Sequence, residues 1–182
     1  MTLPSRKPNR LPKYDYSSGG MYFITICTAE RKNLFWTKDT VSDVGADIIR
    51  PLCPDGNVQD FIQTPSAVPL SAIGQIADIA VRDIAFHYEG VSVNHYVIMP
   101  NHIHLMLSIT AAGGRLIAAP TVSTIIGQFK RHVSRKVGHG IWQKSFHDHI
   151  IRDERDYQKI WSYIECNPWY WETDCFYNKE IR

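Results

Sequence analysis

Tyr96-Val-Ile-Met-Pro-Asn-His-Ile-His-Leu-Met-Leu107 is the stretch that decides how this chain folds. Met99-Pro100-Asn101 reads as a turn between two apolar runs, because proline fixes its own φ and drives the preceding residue towards extended backbone. Beyond the turn the pattern alternates with period two. In a strand, His102, His104 and Met106 share one face, and Ile103, Leu105 and Leu107 share the other. Two imidazoles side by side, backed by an aliphatic face on a core, supply half of a divalent-metal site. The competing reading is two half-exposed histidines on a sheet surface. A second pair, His147-Asp148-His149, shows that the spacing alone decides little. A partner has to come from elsewhere in the chain.

The flanks set the architecture. Residues 91–98 and 102–110 form a hairpin around the turn. Upstream, residues 21–28 alternate as a first strand, and Leu70, Ile73, Ile76, Ala77, Ala80 and Ile84 recur at helical spacing up to about Tyr88. Between them, residues 37–68 carry Pro51, Pro54, Gly56 and Pro65, which predicts a long, partly irregular insertion. Downstream, a small-residue loop over 111–120 precedes a second helix over 121–137. A short strand over 142–151 comes next. Asp153 then caps a last helix from Glu154 to about Asn167, which Pro168 helps to end. The order predicts an α+β fold: an antiparallel sheet with helices packed on one face, ferredoxin-like.

At 182 residues the chain is one domain, here 21–182, preceded by a Pro-, Lys- and Arg-rich arm over 1–20. Hydrophobic content of 44% fits a globular protein, and no apolar run approaches the ~20 residues of a membrane span. The four cysteines show neither a C-x-x-C pair nor a disulfide framework, so a cytoplasmic location is the expectation. The net charge of +2 says little, but its distribution says more. No acid lies between Gly90 and His147, whereas Arg115, Lys130, Arg131, Arg135, Lys136 and Lys144 do. The arm adds Arg6, Lys7, Arg10 and Lys13. A positive field around the histidine pair suits a polyanion, with these arm residues and Lys130, Arg131, Arg135 and Lys136 as its contacts.

The last helix offers the missing partner. At about 100° per residue, Tyr157, Ile160, Trp161 and Ile164 form its apolar stripe, with Tyr157 near the middle. Tyr163 lies about 120° from Tyr157, on the margin, and Asn167 follows one turn on, within about 40° of it. A hydroxyl and an amide oxygen thus project from one edge. Asn167 offers an oxygen ligand beside two imidazoles, and Tyr163 can reach what the metal holds. Such a metal keeps open positions and acts as a Lewis acid on a phosphate oxygen. A phenol with an ordinary pKa near ~10 needs an electrophile polarised in that way.

Tyr163, Asn167 and both histidine pairs fall within four separated blocks. They are Arg6-Lys-x-x-Arg10-Leu-Pro-x-Tyr14-Asp-Tyr-Ser leading into Tyr22-Phe-Ile-Thr-Ile-Cys-Thr; Tyr96-Val-Ile-Met-Pro-Asn-His-Ile-His; Ile141-Trp-Gln-Lys-Ser-Phe-His-Asp-His-Ile-Ile-Arg152; and Tyr163-Ile-x-x-Asn167-Pro-x-x-Trp171-x-x-Asp174. In this order the chain resembles the REP-associated tyrosine transposases, relatives of the single-strand insertion-sequence transposases with a His-hydrophobe-His motif. The resemblance implies a metal, Mg²⁺ or Mn²⁺, on His102 and His104, a nucleophile at Tyr163 and a supporting ligand at Asn167. It also implies a nickase and strand-transferase acting on single-stranded or hairpin DNA through a 5′-phosphotyrosine, as monomer or homodimer. His147 and His149 are read as structural or DNA-contacting. Trp169 to Trp171 either stack on bases or close the core. Two rivals stand beside this reading: a domesticated hairpin-binding protein that does not cut, and an RNA-binding sheet module with exposed aromatics on its sheet.

Overall fold

The computed structural model describes residues 19–37, 69–110 and 120–177. Through them run β1 (Gly20–Cys27), α1 (Ala72–His87), β2 (Val91–Ile98), β3 (His102–Ile109), α2 (Val122–Val137), β4 (His147–Ile151) and α3 (Glu154–Cys166). Short 3-10 turns cover Ala29–Arg31 and Asn167–Thr173. The basic arm, the 37–68 insertion and the 111–120 loop lie almost wholly outside the described residues.

The strands pair antiparallel in the order β2-β3-β1-β4, so the hairpin strand carrying the histidines sits centrally, beside β1. This is an α+β fold with a four-stranded antiparallel sheet, compatible with the ferredoxin-like arrangement. The turn forms as its proline requires: Met99 N–H donates to His102 O at 2.8 Å. Pro100 O in turn accepts Leu34 and Phe35 N–H at 2.8 and 3.1 Å, locking the turn to the segment after β1. Caps fall where the sequence puts them. Ser71 accepts Gly74 N–H, Thr121 accepts Thr124 N–H, and Asp153 accepts Asp156 N–H. Gly138 closes α2 at φ 90°, a left-handed conformation that suits glycine.

Alternation sorts the sheet into two faces. Tyr22, Ile24 and Ile26 with Ile103, Leu105 and Leu107 pack against Ala77, Val81 and Ile84 of α1 and Ile125, Ile126, Phe129 and Val133 of α2. Two helices thus share one face as expected. The third departs from the expectation: α3 packs Ile160 and Ile164 against Met106 and Ile151, on the opposite face, the one that bears the histidines. The reason is supply. The first face is filled by two amphipathic helices, and only Met106, Ile151 and their neighbours offer the stripe of α3 an apolar partner. Hence β3 is buried on both faces, and only Ser108 in it is partly open.

β4 is shorter than the 142–151 expected. Trp142 makes only an isolated bridge to Thr28, and the carbonyls of Gln143 and Ser145 are taken by the Lys130 ammonium at 3.0 and 2.7 Å. Chain satisfied by a side chain has no strand to join.

Candidate active site and metal centre

The register of β1 on β3 sets Thr25 opposite His104 and Cys27 opposite His102. Both imidazoles are buried, His102 at 0% and His104 at 1% exposure, which removes the reading of a half-exposed surface pair. Their outer nitrogens are held. Asn101 Nδ2 donates to Arg31 O at 3.2 Å and to Phe176 O at 2.8 Å, so its Oδ1 is the atom facing His102 Nδ1 at 2.9 Å. That oxygen accepts the Nδ1 proton, which assigns the tautomer and leaves His102 Nε2 with a lone pair. Thr25 Oγ1 lies 2.9 Å from His104 Nδ1 and holds that ring from the β1 side, as donor or acceptor according to the His104 tautomer.

The inner nitrogens, His102 Nε2 and His104 Nε2, are 3.0 Å apart. Burial pushes both imidazoles far below their usual range, His102 to about 2 and His104 to about 3; the proximity of His104 and Arg31 lowers His102 further. Neither carries a proton charge at neutral pH. Two neutral nitrogens, oriented by outer partners and converging, are a donor set for a divalent cation. Asp174 joins them: ligand atoms of His102, His104 and Asp174 all lie within 4.8 Å of one another.

From α3, Tyr163 Oη reaches 3.3 Å from His104 Nε2, while the ring is 42% exposed on its outer side. Phe23 stacks on His104 with centroids 5.1 Å apart and meets Tyr163 edge-on at 6.0 Å, so one aromatic fixes both. Burial raises the Tyr163 phenol above its ordinary value and the charge of Asp174 adds to that; a hydrogen bond with the Asn167 side chain works the other way. Asn167 is buried, and its Oδ1 has no hydrogen-bond partner among the described residues. Phe176 roofs the site, its ring 4.6 Å from that of His102.

No protein-family model matches the chain. A Haemophilus influenzae protein of unassigned function is 28% identical, over 94% of this chain and 93% of its own length. A second protein of that organism, named "Putative REP-associated tyrosine transposase", is 25% identical over 85% of this chain and 73% of its own. Among solved structures, that of a REP-associated tyrosine transposase bound to a REP hairpin superposes with a TM-score of 0.54 at 19% identity. It covers 87% of this chain and 72% of that one, and at such identity the likeness concerns the fold. The chain resembles the REP-associated tyrosine transposases in sequence and in fold.

Not every residue of the four blocks, or of the basic window, converges on the histidines. Arg6, Lys7, Arg10 and Lys13 lie outside the described residues. Lys130 is turned inward to the carbonyls of Gln143 and Ser145, and burial lowers its pKa to about 8. Arg131, Arg135 and Lys136 are exposed on α2, in the layer across the sheet from the site. Arg131, His132 and Arg135 there line a cavity of about 320 Å³ with Asp83 and His87 of α1. His149 pairs with Asp156 at 2.8 Å and so anchors the start of α3, while His147 is exposed. Trp171 closes the core and Tyr170 is open.

Sequence reasoning gave no role at the site to Asp174 or Thr25, and read Asn101 only as part of the turn. Asn101 directly precedes the histidines and Asp174 ends the last block, so both were in view as motif letters. Their roles depend on backbone trajectory and strand register. His95 was missed as well: it stacks on Trp161 of α3 at 4.1 Å, with Glu165 3.8 Å away, too far for a hydrogen bond.

Proposed function

We propose that this chain is a metal-dependent single-stranded DNA nickase and strand-transferase that works near hairpins through a 5′-phosphotyrosine on Tyr163. The observation that carries the reading is the phenol oxygen 3.3 Å from His104 Nε2, itself 3.0 Å from His102 Nε2. The catalytic domain is residues 21–182, and the basic arm precedes it. DNA as substrate agrees with a cytoplasmic location, and no helix among the described residues is long and apolar enough to cross a membrane. The neighbour of like fold is bound to a REP hairpin, which favours hairpin DNA as the partner here.

A divalent ion, Mg²⁺ or Mn²⁺, held by His102 and His104 with Asn167 as oxygen donor, would polarise a phosphodiester oxygen. Asn101 and Thr25 keep the imidazoles oriented. Tyr163 Oη forms a bond to phosphorus as the bond from phosphorus to the 3′ oxygen breaks. The phenol proton passes to solvent and the departing 3′ oxygen takes one up, giving a 5′-phosphotyrosine and a free 3′-hydroxyl. Attack by another 3′-hydroxyl reverses the step and joins a new strand. Phe23 holds His104 and Tyr163 in contact, so the reacting groups lose little freedom on binding. Arg131, Arg135, Lys136 and the arm take backbone phosphates, leaving Lys130 to its internal carbonyls.

The test is incubation with labelled single-stranded hairpin DNA and Mn²⁺ or Mg²⁺, followed by denaturing electrophoresis. An adduct that survives denaturation is expected. Hairpin binding without an adduct would favour the non-cutting rival, for which one observation speaks: the imidazoles are covered, Phe176 among their neighbours. The RNA-module rival finds little support among the described residues, where the exposed large apolar side chains, Ile79, Phe86, Tyr163 and Tyr170, lie on helical segments and not on the sheet.

A further inference from the structure

The amide of Asn167 is a neutral donor, and so are both imidazoles. Three neutral ligands would leave a buried divalent ion uncompensated, with the Arg31 guanidinium close enough to add positive charge to His102. A carboxylate stands in reach. Ligand atoms of Asp174, His102 and His104 lie within 4.8 Å of one another. From this grouping we infer that Asp174 is a ligand of the same ion, so that a carboxylate joins the two imidazoles beside the Asn167 amide. This rests on reading the histidine pair as a metal site. Two imidazoles and a carboxylate are a recognised donor set for divalent first-row metals with open positions.

The chain after α3 is built to deliver Asp174. Its N–H donates to Trp171 O at 3.1 Å and its carbonyl accepts Tyr177 N–H at 3.0 Å, fixing the backbone on both sides. Asp174 Oδ1 accepts Phe176 N–H at 2.6 Å, which orients the carboxylate. The same segment is fastened to the histidine side. Phe176 O accepts from Asn101, the residue that sets the His102 tautomer. Arg31 Nη1 donates to Cys175 O at 3.1 Å, and its guanidinium lies 4.9 Å from the centre of the Phe176 ring. One residue, Asn101, thus ties an imidazole ligand to the segment carrying the carboxylate.

The plainer explanation is that Asp174 only forms a turn, since aspartate side chains commonly accept an N–H two residues on. Asparagine does that equally well, so Asp174→Asn separates the two roles. It preserves the turn and removes the charge. The full chain, stripped with chelator, is titrated with Mn²⁺ alone, and free Mn²⁺ is read by electron paramagnetic resonance. Wild type should bind one ion per chain, and Asp174→Asn should weaken it at least about tenfold, with melting in chelator unchanged. Asp174→Ser, which keeps a turn-forming oxygen without charge, should weaken it likewise. Equal Mn²⁺ affinity in wild type and both variants would overturn the assignment while leaving the histidine site standing. A wild type that binds no Mn²⁺ overturns both. Mn²⁺ binding that behaves as expected in a protein that never forms a DNA adduct would sink the proposed function alone.

Discussion

Tyr163 and Tyr157 stand six residues apart on α3, and their environments assign them different work. Tyr163→Phe removes one oxygen from a ring already held by Phe23 and His104, so fold and hairpin affinity should persist while the covalent adduct vanishes. Tyr157 packs with Trp161 beside Met106 and Ile160, and Tyr157→Phe should keep adduct formation at a cost of at most about 0.5–1.5 kcal/mol in stability. Adduct that maps by peptide sequencing to Tyr157 would sink the assignment. The histidines make a second prediction, for the metal-free protein. Their native pKa values lie far below the ~6.5 of an unfolded chain, so the unfolded state takes up protons first. The stability they contribute is whole above about pH 6.5. It should fall as pH drops towards 3, by about 1.4 kcal/mol per pH unit for each histidine. Urea unfolding in chelator at pH 7 and pH 5 checks this, and a His102→Gln, His104→Gln double variant should show a flatter dependence. At this scale the shared helix edge of Tyr163 and Asn167 was legible, because helical phase follows from the sequence. Asp174 was not, because its side chain arrives through a chain reversal that no period encodes.

On α2, neighbouring cations divide between structure and surface. Lys130 bridges to Gln143 O and Ser145 O, and Trp142 Nε1 donates to Lys130 O at 3.1 Å, so this residue pins the approach to β4. Lys130→Met should therefore lower stability by about 1–3 kcal/mol, as carbonyls lose a charged donor. Arg131 and Arg135 point outward, and changing both to Ala should leave thermal unfolding nearly unmoved. Their loss should instead flatten the slope of log DNA affinity against log salt, by roughly 0.7–0.9 for each phosphate contact removed. A double variant with the wild-type salt slope would take α2 out of the DNA interface. The basic window was readable as charge. Which member turned inward was not, since that required knowing that the chain path sets the carbonyls of Gln143 and Ser145 within reach of Lys130. β2 teaches the same lesson: between Val93 and His95 the register shifts by one residue, which puts His95 opposite Met106 and against Trp161. An alternation pattern read without that bulge sends His95 to the wrong face.

Across the whole molecule, strand order and the last helix bring the site together from one chain. β3 is central because the hairpin pairs it with β2 and the register pairs it with β1; the hairpin was visible in the sequence, and the register on β1 comes from the structure. The face chosen by α3 was not visible, because amphipathicity says that a helix has an apolar stripe and not which side of a sheet has room for it. That choice decides how the activity is organised. With α3 on the histidine face, Tyr163 comes to 3.3 Å from His104 of its own chain, so a single chain holds the proposed nucleophile and the proposed donor set together. Mixing tests it. A Tyr163→Phe chain lacks the nucleophile but keeps the histidines, and a His104→Ala chain has the reverse defect. If the tyrosine acts on the histidines of its own chain, neither variant can repair the other. The mixture should then form no more adduct with hairpin DNA than the two alone, at any protein concentration. Adduct that appears on mixing and grows with concentration would mean that α3 serves a partner's site, and the arrangement of α3 described above would not be the one that cuts.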